Sequence, residues 1–159
     1  MRILKLVFND KAVGVDMKYA IAGSRWLTDE AAWILARDGN HNIRELVANN
    51  LECPCDVLDY LSFDECVLVR QLVAGNPNAP HIVFERLHCD SDCGVRETVA
   101  INQHTPTDIL EKLSHDRHTM VRVFVADNPS TPLDVVRKMV KSDNEHVRFA
   151  ARERLKENE

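Results

Sequence analysis

Glycine and proline are scarce, with five and six residues in a chain of 159. A collagen-like or linker-rich chain is excluded on that ground. No apolar run approaches the roughly 18 residues that a membrane span needs. Also missing are Gly-x-Gly-x-x-Gly, Gly-x-x-x-x-Gly-Lys-Ser/Thr and His-Glu-x-x-His, so no loop is built to cradle phosphates and no metalloprotease helix is present. The apolar start, Ile3 to Phe8, is broken by Asn9, Asp10 and Lys11 before a signal peptide's apolar region is complete. A cytoplasmic location is therefore expected. The five cysteines, Cys53, Cys55, Cys66, Cys89 and Cys93, are odd in number and confined to mid-chain. Reduced thiols or metal ligands fit that pattern better than a disulfide framework. Excess positive charge is lacking too: net charge is -5, and from Glu52 to Asp116 twelve carboxylates stand against four basic residues. Such a stretch repels a nucleic-acid backbone. The segment from Leu133 onward is nearly balanced in charge.

What is present is a repeat. A Val/Ile-Arg pair occurs at Ile43-Arg44, Val69-Arg70, Val95-Arg96, Val121-Arg122 and Val147-Arg148, each 26 residues after the last. Ala48, Ala74, Ala100 and Ala126 share that period, as do Asn50, Asn76, Asn102 and Asn128. So do Pro54, Pro80, Pro106 and Pro132, and the apolar series Leu61, Leu87, Leu113 and Met139. A degenerate first copy has Met17-Lys18 at the Val-Arg position. The copies run 17–42, 43–68, 69–94, 95–120 and 121–146, with a partial one at 147–159, preceded by a cap segment at 1–16.

Within the copy 95–120, Val95, Val99 and Ala100 form one apolar face at helical period, and Ile109, Leu110 and Leu113 form another. Each copy is read as two short helices. Asn102 stops the first, Thr105 caps the second, and Pro106 occupies its first position. The first helix, at seven or eight residues, is short enough to be partly 3₁₀. One copy cannot bury both faces, so copies must stack into an all-α solenoid. Trp33, in an otherwise polar column, is expected to pack under Ile3 to Phe8; Arg152, Arg154, Lys156 and Glu157 give the other end a polar face.

The pattern Val-Arg-x-x-Val-Ala-x-Asn-Pro-x-Thr-Pro, nearly whole from Val121 to Pro132, resembles the leucine-rich repeat variant family. It is also similar to HEAT repeats in placing an aspartate six residues before each of the first four arginines. The resemblance spans about residues 17–155 and implies a right-handed superhelix of tandem 26-residue two-helix units, α/α or α/3₁₀. Members of the variant family can carry an iron–sulfur cluster on cysteines ahead of the repeats. No cysteine precedes Cys53 here, so that cofactor does not transfer by position.

Three groups of residues carry chemistry. Asp38, Asp64, Asp90 and Asp116 each precede an arginine, Arg44, Arg70, Arg96 and Arg122, and the expectation is a structural ion-pair ladder. Arg148, with Ser142 in the aspartate column, departs from the pattern. Cys89, Cys93, His115 and His118 all fall on the turns joining one copy to the next, where adjacent copies lie about 10 Å apart. They are candidate ligands for zinc or an iron–sulfur cluster. The exposed columns vary from copy to copy: Asp59, Glu85, Glu111 and Arg137 on the second helix, and Glu45, Gln71, Glu97 and Val123 on the first. Fixed inner columns beneath a varying surface fit a non-catalytic scaffold that binds a protein or peptide, and the acidic middle favours a basic partner.

Overall fold

A computed structural model describes residues 14–156. Among the described residues there are eleven α-helices and no strand. They fall into two compact units, divided between Pro80 and His81. The first holds α1 (Val15–Ala22), α2 (Asp29–Leu35), α3 (His41–Asn49), α4 (Cys55–Leu61) and α5 (Val67–Gly75). The second holds α6 (His81–Leu87), α7 (Cys93–Ile101), α8 (Thr107–Leu113), α9 (Thr119–Asp127), α10 (Leu133–Met139) and α11 (Glu145–Lys156). None of these helices is long and apolar enough to cross a membrane. The cap segment Ile3 to Phe8 lies outside the described residues, as does Glu157.

Each copy is a helix pair, and both members are α. The first helices α3, α5, α7 and α9 have nine residues each, starting two residues before the Val/Ile-Arg pair. Of the two alternatives, α/α and α/3₁₀, the first holds for a geometric reason. Val95, Val99 and Ala100 are all fully buried on one face, which a period of 3.6 allows and a period of 3.0 would splay apart. The first helices stack on one another, α1 on α3 on α5 in the first unit and α7 on α9 on α11 in the second. Val57, Leu58 and Leu61 of α4, and Ile109, Leu110 and Leu113 of α8, close the core from the second-helix side at 1% exposure or less.

The turns explain why glycine is rare. No described residue has a positive φ, so no turn needs the left-handed backbone that glycine supplies. Instead α3, α5, α7 and α9 end on an asparagine in extended conformation. The Asn side chain then does two things. Its carboxamide oxygen accepts from the N–H two residues on, as when Ser130 N–H donates to Asn128 Oδ1. Its Nδ2 reaches into the preceding copy: Asn76 donates to Ala48 O and Asn50 O at 2.8 and 3.0 Å, and Asn128 to Ala100 O and Asn102 O at 2.7 and 3.0 Å. These carbonyls sit where a helix ends and its last acceptors have no intrahelical donor. The asparagine column is thus an inter-copy fastener as well as a helix stop.

The threonines are a correction. Thr105 does not cap α8: its hydroxyl donates 2.6 Å back to Val99 O, and Thr131 does the same to Val125 O. The Pro106 column itself occupies the N-cap, so proline's missing N–H costs nothing there. In the degenerate first copy, where Thr28 replaces proline, a hydroxyl does cap the second helix, accepting from Ala31 N–H at 3.3 Å.

Candidate functional surfaces

Each arginine is tied to a carboxylate of its own copy and to a backbone carbonyl of the copy before. Arg44 Nε and Nη2 grip the Asp64 carboxylate at 2.6 and 2.8 Å, 20 residues downstream, while Nη1 donates 2.9 Å to the backbone carbonyl of Asp38. Arg96 repeats this on Asp116, at 2.7 and 3.1 Å, and on Asp90 O at 2.8 Å. The aspartate six residues upstream, in the preceding copy, therefore supplies its carbonyl, and the carboxylate comes from the aspartate 20 residues downstream in the arginine's own copy. In the first copy Lys18 takes the arginine's place and reaches Asp38 Oδ2 at 2.6 Å. Each carboxylate also accepts from the N–H two residues on: Cys66 N–H to Asp64 at 2.8 Å, His118 N–H to Asp116 at 2.7 Å. Burial pushes the carboxyls of Asp64 and Asp116 upward, but the paired guanidinium and these N–H donors outweigh it and hold both below the usual range. Arg44 and Arg96 are raised, chiefly by their hydrogen bonds to the same carboxylates.

The register breaks at Arg122, not at Arg148 as the six-residue spacing implied. Ser142 stands where the partner carboxylate of Arg122 belongs, and the substitute, Asp143, is 3.9 Å away with its side chain 96% exposed. Arg148 is held by Ser142 O and Asp143 O at 2.8 and 2.9 Å.

Of the four sequence-derived metal candidates, the structure brings two together. Cys93 and His118 meet with Glu97, their ligand atoms all within 4.8 Å of one another. Cys89 is turned to His88, its Sγ 3.0 Å from Nε2. His115 lines a separate pocket of about 340 Å³ with Asp116, Arg122 and Lys138. A second cluster, His41, Glu45 and Cys66, has the same closeness. Sequence reading missed it because its cysteine and histidine exchange places relative to the first. His81, Glu85 and Asp108 form a third group without a thiol, His81 Nε2 lying 3.2 Å from Asp108 Oδ1. Cys53 is buried, its thiol pushed up to about 12 chiefly by desolvation, and Cys55 donates to Asn78 O.

In the outer column Glu85, Glu111 and Arg137 are exposed and Asp59 is half-buried. Glu111 pairs loosely with Lys138 at 3.5 Å, an exposed contact of little energetic weight. The first unit carries an aromatic surface that periodicity did not single out. Arg37 stacks over Trp33 and Tyr60, its guanidinium carbon 4.6 and 5.4 Å from the ring centroids. Trp33 and Tyr60 lie 5.6 Å apart, and Trp33 Nε1 donates to Asp56 at 3.1 Å. Beside them Phe63 is 69% exposed, and with Arg37, Tyr60, Asp64 and Glu65 it borders a pocket of about 420 Å³.

No protein family and no curated protein matches the sequence. Among solved structures the chain is similar to a leucine-rich repeat variant with a novel repetitive structural motif. The identity is 22%, covering 95% of this chain and 70% of that one, with a TM-score of 0.49.

Proposed function

We propose that this helical-repeat protein is a non-catalytic binding module for a basic peptide segment of another protein, anchored by an apolar side chain. The observation that carries the proposal is the surface at Arg37, Tyr60 and Phe63. Large aromatic and arginine side chains are the residue types that dominate interface energies, and here Phe63 stays 69% exposed beside a preformed pocket. The Glu65 side chain on its rim is 91% exposed and suits a lysine or arginine of the partner. In the second unit Glu85, Asp108 and Glu111 offer the same sign of charge. Rim charges of this kind steer association and weaken with salt.

The test is selection from a random peptide library on the whole chain. The expected winners combine lysine or arginine with one aromatic or leucine side chain and bind less tightly as salt rises. Phe63→Ala should then weaken the selected peptide about 10-fold or more, the range of an interface anchor. Glu65→Lys, on the rim of the same pocket, should weaken it further through charge. Winners without basic residues, or an affinity indifferent to Phe63→Ala, would overturn the assignment.

A further inference from the structure

We infer that the first-helix edge carries two matching sites for a divalent metal of the zinc class, one formed by Cys93, Glu97 and His118 and one by His41, Glu45 and Cys66. Both triads occupy identical repeat positions, 52 residues apart, which is two periods. The first ligand begins a first helix, the second follows four residues later on the same face, and the third precedes the next first helix. Only the order of donors changes: cysteine, glutamate, histidine in one, histidine, glutamate, cysteine in the other. Such an exchange conserves a donor set while changing every side-chain shape at the first and third positions. A demand for packing would not produce it. The same positions elsewhere hold Val15, Tyr19 and Asn40, or Thr119, Val123 and Asn144, so the triad is not a general property of the repeat.

The scaffold builds the geometry. Residues four apart on a helix are surface neighbours, which sets Cys93 beside Glu97 and His41 beside Glu45. The third ligand is fixed by the ion-pair ladder, because Asp116 accepts from His118 N–H and Asp64 from Cys66 N–H. Ligand atoms already within 4.8 Å need only small rotamer changes to reach the spacing of about 3.5 Å found around tetrahedral zinc. His118 Nδ1 is buried and 3.0 Å from Glu97 Oε1, yet out of line for a hydrogen bond. A cation between the two groups would give that nitrogen its partner.

One thiolate, one imidazole and one carboxylate suit zinc; an iron–sulfur cluster, held by several thiolates, does not fit. Three protein ligands leave a fourth position for water. Binding displaces the thiol proton to solvent, so affinity should rise with pH.

Titrating the whole reduced protein with Co²⁺ alone tests this, because thiolate ligation gives cobalt a charge-transfer absorption that carboxylate and imidazole sites lack. The His81, Glu85 and Asp108 group is silent in that readout. The expected result is two thiolate-bound cobalt ions per chain, displaced by zinc. Cys93→Ser and Cys66→Ser should each halve the band, the double variant should abolish it, and Cys89→Ser should leave it unchanged. All three positions lie at the surface or half-buried, and an unchanged helical circular dichroism signal confirms that each variant folds. Absence of the band in the wild-type protein, or its survival in the double variant, would overturn the inference.

Discussion

Two successive arginines of the second unit, Arg96 and Arg122, share a column and a backbone tie but not a carboxylate. Arg96 is 4% exposed and closed on Asp116 by two short hydrogen bonds; Arg122 is 16% exposed and 3.9 Å from a solvent-facing Asp143. Both donate Nη1 to the carbonyl six residues upstream. The backbone bond therefore ties the arginine to the copy before, and the carboxylate closes the arginine's own copy. A single serine at position 142 separates a closed link from an open one.

The largest expected effect breaks the closed link. Asp116→Ala leaves the Arg96 guanidinium buried without its carboxylate and should cost about 3–5 kcal/mol by chemical denaturation. Asp143→Ala, beside Arg122, should cost less than about 0.5 kcal/mol, as for an exposed pair. Acid gives a smaller, graded version of the same contrast. Asp64 and Asp116 have folded-state values below the ordinary 3.8 of an unfolded chain. Their contribution is therefore complete above that value and lost as pH falls through the folded one. Stability measured against pH should decline on that acid limb, and Asp116→Asn should flatten it. A small gain should come from mending the open link: Ser142→Asp should raise stability by about 0.5–1 kcal/mol, and no gain would mean that backbone geometry there differs from the Asp116 turn.

Much of the fold was legible because stacking imposes one residue type per column. The buried valines, alanines and leucines follow a 26-residue period that needs no structure to see. The direction of each tie was not legible. An aspartate six residues before an arginine is near it in sequence, and only the folded turn shows that its carbonyl faces that arginine while its carboxylate faces the arginine 20 residues earlier in its own copy. The asparagine was read as a helix stop because its reach to Ala100 O crosses 28 residues. In the metal candidates, Cys93 and His118 were visible as unusual residue types on one edge. Glu97 was assigned to the variable surface, since a glutamate there has no sequence mark distinguishing a ligand from a solvated side chain. The Cys66 triad was hidden by the swapped order of its donors. Tyr60 and Phe63 fell outside the reading because an aromatic in an outer column looks like ordinary variation until its neighbours Trp33 and Arg37 are placed.

The most direct test of the arginine–carboxylate ladder is a pair of double-mutant cycles on Arg44, one with Asp64 and one with Asp38. The coupling energy should be about 2–3 kcal/mol with Asp64 and under about 0.5 kcal/mol with Asp38, because only the first pair shares side-chain hydrogen bonds. Equal couplings, or a larger one with Asp38, would contradict the account and return the arginine to the aspartate six residues upstream.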